Sequence, residues 1–211
     1  MLRLFIAVNL PEDIKEKIGA VLDEVKRENP SLGKIVKWTP EENQHFTLIF
    51  LGYQPEAVVS LIKEAMTEAK SEFEEAKVEF KRLDYGPIGG LSRPVRSRPP
   101  QGGRSHVYGR TASNGASMIW LITTKETEEA LAKIKSKLEA KLLEKKIEWR
   151  RETRPFRAHL TLARFLPKLL KDMPKIREDL IFDFSVHSLF LMKSTLKPSG
   201  AVYETLFQVD F

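Results

Sequence analysis

The stretch HFTLIFLG, residues 45–52, nearly repeats as HLTLARF, residues 159–165. Both open His-x-Thr-Leu, and two of the chain's four histidines sit in that shared context. In an extended strand, side chains alternate between faces. His45 and Thr47 then share one face while Phe46, Leu48 and Phe50 share the other, and His159 and Thr161 likewise oppose Leu160 and Leu162. Two such strands facing each other across a cleft would offer two imidazoles and two hydroxyls to one small anion. That set suits phosphodiester transfer through a neighbouring hydroxyl. An imidazole, with its ordinary pKa near ~6.5, serves as base toward the nucleophile or as acid toward the leaving oxygen. Threonine hydroxyls can donate to the non-bridging oxygens, where charge builds up in the transition state.

Two other readings compete. A single His-x-Thr-Leu is more often a strand histidine satisfied by a hydrogen bond, but a purely structural role leaves the doubling unexplained. A metal site is disfavoured, because neither motif carries a His or carboxylate at His-x-His or His-x₃-His spacing, so no metal or cofactor is expected.

The elements that must position these strands follow from periodicity. Leu2 to Val8 is rich in strand formers. Ile14, Ile18, Leu22 and Val25 recur at helical spacing after Pro11, predicting a helix through Glu28. Ile35 to Trp38 reads as a short strand, and the first motif as a strand closed by Gly52. Leu61, Ile62, Ala65, Met66 and Ala69 mark a second helix starting near Pro55, and Ala76 to Leu83 alternates as a strand. Ser117 to Thr123 begins a similar order: a strand, then a helix faced by Leu131, Ile134, Leu138 and Leu142, then the strand Ala158 to Phe165 with the second motif. Phe184 to Leu196 and Ala201 to Phe211 read as two β segments joined by a turn over 197–200. The fold class expected is α+β, a duplicated α/β lobe with one motif per lobe, forming a single domain over 1–211.

At 211 residues and 42% hydrophobic composition, the chain is long enough for one large domain or two small lobes around a packed core. A net charge of +6 favours a polyanionic partner, nucleic acid or a phosphate ester. With no cysteine, disulfides and thiolate metal sites are excluded. The opening apolar run stops at Asn9 and Pro11, too short for a signal or membrane span, so a cytoplasmic, monomeric protein is expected. Residues 86–117 carry seven of the eleven glycines, four prolines and five arginines, and predict a loop. It is either a solvated insertion or an arginine-rich arm for a phosphate backbone.

His45-Phe46-Thr47-Leu48 and His159-Leu160-Thr161-Leu162 resemble the two signatures of the 2H phosphoesterases. More narrowly, the chain is similar to the RNA 2',3'-cyclic phosphodiesterases, or 2'-5' RNA ligases, through RLFIAVNLP, ETRPFRAHLTLAR and KSTLKPSGAVYETLFQVDF as well as the motifs. The resemblance implies a bilobal, pseudo-twofold fold with antiparallel sheets lining a central cleft and helices outside, and metal-free hydrolysis of a terminal 2',3'-cyclic phosphate to a 2'-phosphate, with His159 as base, His45 as acid, and Thr47 and Thr161 holding the phosphate. It implies RNA with 2',3'-cyclic phosphate ends as partner, tRNA halves being one candidate, and no membrane. Arg164 matches an arginine that follows the second motif in many relatives. Ideal alternation puts it opposite His159 and Thr161, so a substrate contact there needs a twist or a strand end. Phe46 and Phe156 are candidates to stack a base, in competition with simple packing. His106 and His187 lie in no motif and are taken as non-catalytic. Where relatives have a shorter stretch, this chain has 86–117. Two rival functions are a phosphodiesterase for small cyclic nucleotides or cyclic ADP-ribose phosphate, and an RNA-binding module without turnover.

Overall fold

The structure, a computed structural model, describes residues 1–86, 117–152, 154–166, 174, 176, 180, 182–198 and 200–211. The loop expected over 86–117, with His106, therefore lies outside the described residues except at its ends, where the Ser117 N–H donates to the Gly86 carbonyl at 2.9 Å.

The first strand, β1 (Leu2–Asn9), is buried from Leu4 to Val8, as an apolar run central to a sheet should be. Pro11 stands where its fixed φ starts α1 (Glu12–Glu28), and Ile14, Ile18, Leu22 and Val25 are the buried stripe. The short α2 (Leu32–Ile35) and β2 (Val36–Trp38) lead to β3 (His45–Gln54), which carries the first motif. Then come α3 (Val59–Ala69), β4 (Ala76–Gly86), β5 (Met118–Thr123) and α4 (Lys125–Glu144), before β6 (His159–Phe165) with the second motif. In α3, Ile62, Ala65, Met66 and Ala69 are buried, whereas Leu61, expected on that face, is 38% exposed. β7 (Asp183–Val186), β8 (Ser188–Lys197) and β9 (Gly200–Asp210) complete the chain. Among the described residues, no helix is long and apolar enough to cross a membrane.

Two antiparallel sheets result, in the orders β3-β1-β8-β9 and β2-β6-β5-β4-β7, so each sheet holds one motif strand. Each motif strand pairs with the strand that precedes a helix, β3 with β1 and β6 with β5. The strands that come after the motifs are exchanged. β4 comes after the first motif but joins β5, while β8 comes after the second and joins β1. The single β segment expected over 184–196 is consequently two strands in different sheets. The chain crosses between them at the exposed His187, which lies at that corner rather than within a strand.

Local register breaks ideal alternation at a matching place in both motif strands. Ile6 faces Ile49 and Ala7 faces Thr47, leaving Leu48 without a partner on β1; Ile119 faces Ala163 and Trp120 faces Thr161, leaving Leu162 without one on β5. Both are β-bulges at the leucine of His-x-Thr-Leu, and each reverses the parity of the residues beyond it. Leu48 and Ile49 are both buried, as are Leu162 and Ala163. Phe50 and Arg164 thereby turn to the same face as the histidine and threonine of their motifs. β3 does not end at Gly52 as expected. It passes through a second bulge at Leu51, where Gly52 adopts φ +74°, a conformation that favours glycine, and continues to Gln54.

Candidate active site

His45 opens β3 with its ring stacked on Phe5 of β1, centroids 4.8 Å apart at 30°, and edge-on to Tyr203 of β9 at 5.0 Å and 88°. His159 opens β6 with its ring 4.2 Å from that of Trp120 on β5. Each imidazole thus leans on an aromatic from the neighbouring strand. Each also bonds the backbone two residues upstream, His45 to Asn43 and His159 through Nδ1 to the Arg157 carbonyl at 2.9 Å. A carbonyl only accepts, so Nδ1 of His159 carries the proton and Nε2 keeps its lone pair free in the neutral ring.

Burial dominates the electrostatics of both rings. It pushes His45 down from 6.5 to about 4, against the opposing pull of the Asn43 backbone bond. It also lowers His159, with the Arg164 charge adding to the effect and the Arg157 carbonyl and Glu152 opposing it. Both rings are therefore neutral near neutral pH.

A cleft of about 570 Å³ adjoins His45. Its walls include Thr47, Thr161 and Arg164, the rings of Phe5, Phe50 and Tyr203, and the cations Arg3 and Lys37; among the described residues lining it, Glu42 carries the only negative charge. The structure brings His45, Thr47, Thr161 and Arg164 together, from strands of two different sheets. His159 does not wall this cleft itself, but shares a face with Thr161 and Arg164, which do. Arg164 is exposed, with Nη1 3.1 Å from the Met118 sulfur. The bulge at Leu162 supplies the turn of face that ideal alternation denied it. Among the described residues, no group of three or more His, Asp or Glu could hold a metal ion.

Phe46 does not stack a base. It is 1% exposed, with its ring 5.9 Å from Phe80 in the main core, because it lies on the buried face of β3. Phe156 is half-buried against that same core and is not among the cleft walls. The aromatic that β3 does present is Phe50, 46% exposed, with the Arg3 guanidinium 4.6 Å from its ring centre. Sequence alternation assigned Phe50 to the opposite face. The signal that could have found it is the apolar pair Leu48-Ile49, matched by Leu162-Ala163, which breaks the period of two directly after each threonine. Phe5, Trp120 and Tyr203 carry no such signal, since only tertiary packing brings them to the histidines. Gly86 belongs with them: a Cβ there would lie 2.3 Å from the ring of Trp120, so the absence of a side chain leaves room for the Trp120 ring beside His159.

Residues 8–91 and 122–203 match the sequence model of the family described as LigT like Phosphoesterase. Similar curated proteins include an RNA 2',3'-cyclic phosphodiesterase of Archaeoglobus fulgidus, 27% identical over 97% of this chain and 98% of that one. Another, of the same description, comes from Methanocaldococcus jannaschii and is 28% identical over 97% and 98%. Among solved structures, TT0787 of Thermus thermophilus superposes with a TM-score of 0.68 at 22% identity, covering 99% of this chain and 97% of that one. E. coli LigT complexed with 3'-AMP gives 0.67 at 17% identity, covering 100% and 98%. These neighbours share the two-sheet fold, and the family match spans both motif strands and well over half of the sequence, so the chain belongs to the LigT-like phosphoesterase family.

Proposed function

We propose that this protein hydrolyses the terminal 2',3'-cyclic phosphate of RNA to a 2'-phosphate, without a metal ion. The observation that carries the reading is that His45 and Thr47 of one motif and Thr161 and Arg164 beside the other wall one basic cleft, with His159 on the same face of β6 as Thr161 and Arg164. The curated relatives named as RNA 2',3'-cyclic phosphodiesterases support the substrate class.

His159 removes a proton from water through its free Nε2, the water oxygen bonds to phosphorus, and the P–O3' bond breaks as His45 gives a proton to the departing O3'. Thr47 and Thr161 donate to the non-bridging oxygens, and Arg164 adds positive charge as the transition state becomes more anionic. His45 must be charged for its role, although burial keeps it neutral in the free protein. The negative charge of the cyclic phosphodiester raises the pKa of the imidazole it approaches, so substrate entry recruits the proton that the reaction spends. With an RNA 5'-hydroxyl in place of water as nucleophile, the same groups break P–O3' as P–O5' forms, which gives a 2'-5' linkage.

The test is a short RNA ending in 2',3'-cyclic phosphate, incubated in EDTA with wild type, His45→Ala and His159→Ala, and followed by formation of the 2'-phosphate end. Turnover by wild type, lowered by roughly 10²–10⁴ in each variant, is expected. Turnover that needs added metal, or that survives both substitutions, refutes the mechanism. RNA binding without turnover would favour a binding module, and activity confined to mononucleoside cyclic phosphates would favour a small-molecule phosphodiesterase, for which a cleft of about 570 Å³ has room.

A further inference from the structure

A second hollow, of about 430 Å³, adjoins the cleft on the α4 side of β3. Lys135 of α4 and Trp149, Arg150, Arg151 and Arg154 of the α4–β6 connection line it, and Phe50 lines both hollows. Two carboxylates also face it, and both are engaged: Glu139 pairs with Lys135, and Glu152 with Arg154 at 2.6 Å. Arg150 and Arg151 remain, exposed and without an ion pair among the described residues. The surface therefore combines uncompensated guanidinium charge with a protruding aromatic ring at the boundary of the reactive cleft. Grooves that hold single-stranded nucleic acid are built this way, with cations following the backbone and aromatic rings under the bases.

Resting on the RNA cyclic phosphodiesterase reading, we propose that this hollow is the track for the RNA strand on the 5' side of the reacting nucleotide. The chemistry fixes the direction in which the strand leaves. A 2',3'-cyclic phosphate occupies both O2' and O3' of its nucleotide, so the chain continues only through O5'. With the cyclic phosphate between Thr47 and Thr161, the strand passes over Phe50, and Arg150 and Arg151 each neutralise one backbone phosphate. Guanidinium groups suit this role, since their planar fork meets two phosphate oxygens at once. The consequence is selectivity for oligonucleotides over mononucleotides that share the same reacting group.

The experiment compares kcat/KM for a mononucleoside 2',3'-cyclic phosphate and for a decamer RNA ending in the same nucleotide, across a salt series, in wild type and Arg150→Ala/Arg151→Ala. Wild type should prefer the decamer, and the double substitution should cut that preference by about tenfold. The slope of log kcat/KM against log salt for the decamer should flatten by about 1.4, at roughly 0.7 per phosphate released from a single strand. Arg150→Lys/Arg151→Lys, which keeps both charges, should restore most of the slope. No decamer preference in wild type, or an unchanged preference and slope in the alanine variant, overturns the track while leaving the cleft chemistry standing. No turnover of either substrate by wild type overturns the function on which it rests.

Discussion

Replacing Tyr203 by alanine should raise the pKa of His45, because the phenol ring is one of two aromatic walls that keep water from the imidazole. Wild-type His45 is held at about 4 against an ordinary 6.5, with burial as the first cause. At about 1.4 kcal/mol per pKa unit, that gap of roughly 2.5 units represents about 3 kcal/mol against the charged ring. If Phe5 and Tyr203 exclude water equally, removing Tyr203 returns roughly half of this, and His45 should titrate about one unit higher. The same linkage has a sign in stability. Between pH 6.5 and about 4 the unfolded chain binds a proton at His45 that the folded chain refuses. The stability contribution is therefore complete above 6.5 and is lost as pH falls toward 4, by up to about 3 kcal/mol in wild type and by less in Tyr203→Ala. The assay is an NMR titration of the imidazole carbons, with His45 assigned by substitution, alongside urea unfolding at pH 7 and pH 4.5. A wild-type midpoint at the ordinary 6.5, or the same midpoint with and without Tyr203, refutes the argument.

Three further substitutions separate packing from positioning. Gly86→Ala places a Cβ 2.3 Å from atoms of the Trp120 ring, which must shift and loosen its contact with His159; if His159 is the base proposed above, kcat should fall by about tenfold with KM little changed and its limb of the pH profile should move, and an unchanged profile would show that Trp120 does not hold the ring. Phe46→Ala should cost roughly 3–5 kcal/mol in urea unfolding, as the loss of a buried core phenylalanine, whereas the 46%-exposed Phe50→Ala should leave unfolding within about 1 kcal/mol of wild type; a cost for Phe50→Ala as large as for Phe46→Ala would contradict the bulge at Leu48.

Much of the scaffold is legible in local pattern. Ile14, Ile18, Leu22 and Val25 announce the buried stripe of α1, and Leu131, Ile134, Leu138 and Leu142 that of α4, because a helix's inward face depends only on residues within a few turns. The pairing of histidine with threonine on one face is equally local, since it spans a single alternation before either bulge begins.

Legible from the residues alone, therefore, were the kind of most elements, the duplicated polar pair, and a basic chain suited to a polyanion. Tertiary structure alone decided that Phe50 and Arg164 face the cleft, that Phe46 does not, and that β4 and β8 change places between sheets around His187. It alone brought Phe5, Tyr203 and Trp120 against the imidazoles and so lowered both pKa values. The physical reason is range. Helical and strand periodicity are set by neighbours a few residues away, whereas a bulge exists only relative to a partner strand, and desolvation only relative to rings that reach the histidines from distant parts of the chain.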